Sequence, residues 1–374
     1  MLLGNFQSLD VYQVDNSNFR QIGIIDQLIS VDWKKYFTKY GDATIKVIPT
    51  KQNIELLKKG NILSPGSKNA IKIDTVEIVE DKGKYSLQVK GLTLEKILST
   101  RVSSDFAAAD SGIDAPEMVS TLVNSNLGPV AGIKRGIRYF EVSEDIPIIG
   151  PLYKRQNKGN LYDIVEEYCN LTPTMGYEIQ FVPGEQKLLF QILQGTDHSA
   201  SSNSPVIFSN SLDNLFSFDY YTSDRDYKNY AYVYGELKDS GRTKVEVGDY
   251  TLSGYERYEH FVDARDLQSE TDDGHVIPDE EYEAMLYKRG QKKLSELQVV
   301  ETISGKLNVD NSTFVYGVDY GIGDKVTIVD EAIGIQVDAI VIGVQEKYST
   351  TYSSELIVGY EMPTVSEKIK TIYG

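Results

Sequence analysis

The chain has 374 residues, 41% of them hydrophobic, with 38 Lys and Arg against 55 Asp and Glu and a net charge of −17. That length allows two or three compact units, and the apolar fraction excludes a disordered tail. The acidic balance excludes a whole-surface grip on duplex phosphate, because such affinity comes from Lys and Arg.

A single cysteine, Cys169, excludes an intramolecular disulfide and a Cys-based zinc site. Met1–Asp10 has neither the basic start nor the apolar stretch of a signal peptide. The strongest apolar run, Ala339–Val344, is far short of a membrane span. The 26 tyrosines against 12 phenylalanines suit strands at wet interfaces, and equally the stacking of sugars or bases.

Residues 1 to about 100 read as β. Ile25, Ile29, Val31 and Trp33 alternate with Asp26, Ser30 and Asp32, and Ile71, Ile73, Thr75 and Val79 repeat the period. Asp81-Lys82-Gly83 then turns the chain into Tyr85, Leu87 and Val89, a hairpin signal. Short strands with turns between them suggest a small barrel. A short helix follows over 93–101, with Thr93 as its N-cap.

Ser103–Gly112 is small and polar and reads as a linker. Asp114-Ala115-Pro116-Glu117 opens a helix striped by Met118, Leu122 and Val123 and stopped at Gly128. A second helix over 160–170 places Leu161, Ile164, Val165, Tyr168 and Cys169 on one face. Strands follow at 177–181 and 187–193 around the turn Pro183-Gly184, and 195–205 is another break.

From about 206 the chain is β again, with Tyr230, Tyr232 and Tyr234 alternating with Ala231 and Val233. A helix over 279–297 turns Tyr282, Leu286, Leu294 and Leu297 inward. Its Gly290 costs about 1 kcal/mol relative to Ala, which marks a close packing contact. The last β stretch runs from 302 to 360 and turns at Gly334, between Val326/Ile328 and Val337/Ala339/Val341. The order is β, then α/β, then β, as if two barrels flank an insertion.

No catalytic constellation emerges. His198, His260 and His275 show no zincin spacing. Cys169 sits on an apolar helix face and reads as a buried small hydrophobe. The acidic stretch 263–283 fails as a calcium loop: with Gly274 at the sixth position, Glu280 fits the twelfth, but Ser269 and Thr271 fall at the first and third. Gly317, Gly321 and Gly323 are flanked by strands, so they do not cradle a dinucleotide. No catalytic, cofactor-binding or metal residue is assigned, and no cofactor is expected.

Two features remain as contact surfaces. Tyr230, Tyr232 and Tyr234 share a strand face, suited to an interface or to glycan stacking. Lys134, Arg135, Arg138, Lys154, Arg155 and Lys158 form a basic cluster that could meet an acidic partner or phosphate. A solvated patch is the plainer reading of that cluster.

Two segments carry a resemblance. The first runs from Gln21-Ile-Gly-Ile-Ile-Asp through Lys34-Lys-Tyr-Phe and Tyr40-Gly41 to Tyr85-Ser-Leu-Gln-Val-Lys-Gly91-Leu, with Leu98 and Arg101. The second is Tyr316-Gly-Val-Asp-Tyr-Gly-Ile-Gly-Asp-Lys-Val-Thr-Ile. Together they resemble the siphophage tail-hub, or tail-tip, proteins, which share a fold with contractile-phage baseplate hubs and the VgrG base.

The resemblance implies a β-rich α+β fold with two β-barrel-like domains and α/β insertions. The expected division is 1–102 for the first barrel and 103–205 for the α/β insertion. Residues 206–262 with 299–362 would form the second barrel, 263–298 a helical insertion and 363–374 a tail. The resemblance further implies a non-enzymatic homotrimer at the tail tip of a phage or prophage virion, made in the host cytoplasm. That trimer would close the tail tube and contact a distal tail protein, a tape-measure protein and tip-fibre or receptor-binding proteins. DNA would pass through it without specific binding, and no membrane insertion is expected. Gly321–Val326 would be a turn into a strand of the second barrel. Because the chain stops at Gly374, just past the hub, a lytic tip domain is not expected. A carbohydrate-binding baseplate protein is the alternative, and a peptidoglycan hydrolase a further one.

Overall fold

Alternation in the first hundred residues produces strands wrapped around one core. The computed structural model describes residues 8–66, 68–81, 83–103, 114–149, 158–172, 174–212, 214, 217–238, 241–270, 276–306 and 313–359. It opens with β1 (Leu9–Val14), β2 (Phe19–Ile25), β3 (Leu28–Tyr36), β4 (Asp42–Val47) and the short helix α1 (Lys51–Leu56). β5 (Ile62–Ser64), β6 (Ile71–Asp81) and β7 (Lys84–Thr93) follow. These strands are neighbours in the order β3-β4-β7-β6-β5-β1-β2. Inward-facing Leu9, Val11, Val31, Trp33, Ile45, Val47, Ile71, Leu87 and Val89 are at most 1% exposed. Each contributes about 1.5–3 kcal/mol by leaving water.

Two bulges depart from the expected alternation. Asp26 and Gln27 separate β2 from β3, and a register shift between Leu28 and Ser30 turns Ile29 outward. A second shift, between Ile73 and Thr75, puts Val76 and Ile78 on the face of Val89 and Leu87 and Val79 on the other. One inserted residue flips every side chain that follows it. The short helix expected over 93–101 is a 3-10 helix, Leu94–Thr100. Thr93 precedes it, but its hydroxyl accepts the Gly41 N–H at 2.8 Å and caps nothing.

The α/β region comprises β8 (Val102–Ser103), α2 (Ala115–Leu127), β9 (Phe140–Val142), β10 (Gly159–Asn160), α3 (Leu161–Leu171), β11 (Met175–Val182) and β12 (Lys187–Gln194). β11 pairs antiparallel with β12, and β12 pairs parallel with β9. The two helical stripes read from the sequence are buried, Cys169 included. Asn160 caps α3 by accepting the Tyr162 N–H at 3.0 Å. Asp114, the expected cap of α2, instead accepts the Ile149 N–H at 3.2 Å.

β13 (Ile207–Ser209) and β14 (Ser217–Ser223) come next. A second compact unit then spans Tyr220–Thr302, while the rest of the chain forms the first. The second unit holds β15 (Tyr230–Lys238), β16 (Gly241–Gly248), β17 (Glu259–Asp263) and α4 (Asp279–Glu296). The sequence reading placed 206–262 in the second barrel and set 263–298 apart. The structure groups 220–302 together, because β15 pairs with both β16 and β17 and α4 covers that sheet. Gly290 of α4 approaches closely, as expected: a Cβ there would lie 2.6 Å from Val247 and 2.7 Å from Val233.

The chain re-enters the first unit through β18 (Val300–Lys306), then β19 (Lys325–Asp330), β20 (Ile335–Tyr348) and β21 (Tyr352–Val358). β20 pairs with β3 from Gly343↔Tyr36 to Tyr348↔Val31, so both β regions belong to one thirteen-stranded sheet. The fold is β-rich α+β, with two barrel-like β regions and an α/β insertion.

Phe37, 1% exposed, joins the three regions of the first unit. Its N–H donates to Ile342 O at 2.9 Å, and its carbonyl accepts the Tyr177 N–H at 3.0 Å. Gly176 and Gly323 lie against its ring, where an added Cβ on either would come within 2.3 Å. The Gly321–Asp324 turn therefore has a packing role: φ is +99° at Gly323, and Asp324 accepts the N–H groups of Gly321 (2.6 Å) and Thr196 (2.8 Å). Along the outer edge of β11, the N–H groups of Tyr177, Ile179 and Phe181 donate to Phe37 O, Glu95 Oε1 and Lys68 O. A buried carboxylate thus stands where a strand carbonyl would.

Candidate interaction surface

In the second unit, alternation sorts β15 onto two faces. Ala231 and Val233 pack on Tyr282, Leu286 and Leu294 of α4. Tyr230, Tyr232 and Tyr234 take the opposite face, beside Glu246 and Lys244 of β16 and Glu259 and Phe261 of β17.

Arg257, in the loop before β17, organises this face. Its guanidinium lies 3.3 Å from the Tyr230 ring centroid and donates to Tyr232 Oη at 2.9 Å and Glu259 Oε1 at 2.8 Å. Tyr232 Oη donates to the same Glu259 oxygen at 3.0 Å. Lys244 Nζ sits 4.3 Å above the Tyr232 ring and pairs with Glu246 at 2.7 Å, which also accepts from Tyr230 Oη at 2.6 Å. Hydrogen bonds from Lys244 and Tyr230 hold the Glu246 carboxyl below its ordinary value, and those from Arg257 and Tyr232 do the same for Glu259. Neither carboxylate has the raised proton affinity that a general acid needs.

The three predicted tyrosines are therefore brought together but are not equivalent. Tyr230 is 1% exposed, and the Tyr232 ring carries a cation. Open aromatic surface lies at Tyr234 against Phe261, 5.3 Å between centroids with Phe261 at 59% exposure, and at Tyr250 beside the Tyr230 ring. Arg257, Glu246 and Glu259 escaped the sequence reading because cross-strand register, not spacing, assembles them.

The basic cluster divides as well. Arg135 serves the fold: it donates to Val102 O at 2.8 Å and Asn126 Oδ1 at 2.5 Å, and its own carbonyl accepts from Arg101. Arg138 donates to Asn16 O at 3.1 Å and lies 5.1 Å from the Tyr139 ring. Lys134 and Lys158 are exposed, and Lys154 and Arg155 lie outside the described residues. Of the histidines, His198 contacts Ser204 O at 2.9 Å, burial lowers the proton affinity of His260, and His275 lies outside the described residues.

Three solved structures share the fold over nearly the whole chain. The tail protein from Neisseria meningitidis MC58 is 14% identical, with a TM-score of 0.55 and coverage of 95% of this chain and 96% of that one. The prophage tail protein gp18 from Listeria monocytogenes EGD-e is 12% identical, with a TM-score of 0.53 and coverage of 98% and 100%. The 43 kDa tail protein of prophage MuSo2 from Shewanella oneidensis is 10% identical, with a TM-score of 0.55 and coverage of 94% and 97%. No curated protein matches the chain significantly in sequence. A sequence model of the Siphovirus ReqiPepy6 Gp37-like proteins matches residues 9–360, nearly the full length, and the chain belongs to that family.

Proposed function

We propose that the chain is a non-enzymatic structural component of a siphovirus tail tip, acting as a homotrimeric hub. Three copies close the distal end of the tail tube, dock a distal tail ring on one side and carry tip-fibre or receptor-binding proteins on the other. On host contact the trimer opens for the tape-measure protein and then DNA. The observation that carries this reading is the family match over residues 9–360, joined to a chain in which two β regions share one sheet through β3 and β20. Two such regions per chain place six around a threefold axis, a match for a sixfold tube. The net charge of −17 suits a passage that does not retain DNA, since duplex DNA carries about one charge per 1.7 Å.

The test is mass in solution by light scattering across concentration. Three chains per particle is expected, and a chain that stays monomeric at the highest concentration contradicts the trimer. A carbohydrate-binding role for the tyrosine strand is less well supported, because Arg257 and Lys244 already occupy the faces of Tyr230 and Tyr232. Saturable glycan-array binding lost on Phe261→Ala would restore it.

A further inference from the structure

The first β region has an end that its own chain does not cover. Beyond Val47↔Leu87 on one side and Ile62↔Lys72 on the other, β6 and β7 continue as a two-stranded ribbon over residues 76–81 and 84–86. Neither outer edge of that ribbon has a ladder partner among the described residues. Ile78 lies opposite Leu87 and Tyr85 opposite Glu80, so Ile78 and Tyr85 prolong the face that buries Leu87. Exposure climbs along this one face from 0% at Leu87 to 58% at Ile78 and 62% at Tyr85. A core stripe that runs on into solvent, on a ribbon too narrow to be stable alone, is a core awaiting completion.

The same end carries a second apolar surface. The β2–β3 turn, the end of β4 and α1 all lie there, as Leu28↔Val47 and the Ile48 N–H donating to Gln27 O require. They expose Ile24, Ile29, Ile48 and Ile54, and a concavity of about 650 Å³ opens between Ile24 and Thr50. Those four isoleucines, and Ile78 and Tyr85 on the ribbon, are about half exposed on average. At ~200 Å² per large residue that is on the order of 360 Å² on the barrel end and 240 Å² on the ribbon face. Brought together they would bury on the order of 600 Å² of apolar side chain, against the ~900 Å² that is apolar in a standard interface of ~1,600 Å². Copies of a chain carrying −17 repel one another, so a self-contact needs a locally neutral setting. The concavity itself is lined by one charge of each sign, Asp26 and Lys51.

We propose that the ribbon of one copy seats on the barrel end of the next, with Ile78 and Tyr85 against Ile24, Ile48 and Ile54. Two different surfaces of one chain then meet head to tail, the arrangement that closes a ring. This rests on the homotrimer reading above and names its contact.

The test measures mass by light scattering for the full chain and for Ile78→Glu, Tyr85→Glu, Ile24→Glu and, as a control, Val318→Glu. Val318 is 80% exposed in the second β region. Fluorescence of the single tryptophan, Trp33, checks that each variant folds. The expected result is that wild type and Val318→Glu remain trimeric while the other three dissociate at concentrations at least tenfold higher. An equal mixture of Tyr85→Glu and Ile24→Glu chains, each retaining one intact half, should form two-chain particles that neither forms alone. Trimers that persist unchanged in all variants would overturn this contact and leave the homotrimer standing. A wild-type monomer would overturn both, and failure of the mixture to pair would overturn the head-to-tail arrangement.

Discussion

Replacing Glu95 perturbs the seat of the α/β insertion on the first β region. Its Oε1 accepts the Ile179 N–H at 2.9 Å, and the residue is 6% exposed. Glu95→Ala leaves that N–H buried without an acceptor, at a cost of about 1–3 kcal/mol before any cavity is counted. Glu95→Gln keeps an acceptor oxygen in place. Burial raises the proton affinity of the Glu95 carboxyl above the ordinary range, opposed by the Thr93 hydroxyl, the Ile179 N–H and Lys35. The folded chain therefore holds this proton more tightly than the unfolded chain does. Below the unfolded value both states are protonated and the group makes no difference. As pH rises through the window between the ordinary and raised values, the wild type loses stability relative to an uncharged side chain. Urea unfolding followed by Trp33 fluorescence, at about pH 4.5 and about pH 8, measures both effects. The Ala variant should have the lowest midpoint, and the Gln variant should gain on wild type as pH rises. Equal losses in the Ala and Gln variants, or a Gln-to-wild-type difference that ignores pH, would refute the reasoning.

Phe37→Ala should lower unfolding stability by about 3–5 kcal/mol, since it empties a fully buried aromatic site shared by three regions; urea midpoints read this directly. Gly323→Val should be at least as damaging to the same midpoint, because the site combines φ +99° with contact against the Phe37 ring. Tyr282→Phe should cost about 1 kcal/mol in thermal unfolding, because Tyr282 Oη accepts the half-buried Glu236 N–H at 2.9 Å and donates to Leu267 O at 2.8 Å. Cys169 is buried, and burial pushes its thiol well above the ordinary value. A thiol reagent should leave the native chain unlabelled and find one thiol in guanidinium; rapid native labelling would contradict the packing of α3.

Local patterns were legible wherever a single face meets a single core. The stripe Leu161, Ile164, Val165, Tyr168 and Cys169 needed only helical spacing, and Val31 with Trp33 only alternation. Gly290 was legible because a glycine within a helix needs a reason, and close approach of Val247 and Val233 supplies it. What escaped was set by tertiary register. The shifts at Leu28/Ser30 and Ile73/Thr75 reverse the faces of Ile29 and Val79 with no mark in residue type. The parallel pairing of β15 with β17 joins residues 29 positions apart, such as Tyr230 and Glu259, so 220–302 could not be seen as one unit. Arg135 lies in a linear run of basic residues, yet its guanidinium serves Val102 and Asn126. Arg257 lies outside any cluster, yet it organises the tyrosine face.

The central claim concerns place and copy number in the virion. Electron-microscopic reconstruction of tails carrying a tag in the exposed β19–β20 turn at Gly334 tests it most directly. The account predicts three copies of the tag around a threefold axis at the distal tip, and none along the tube. Tag density repeating along the tube, or three copies nowhere at the tip, would contradict it.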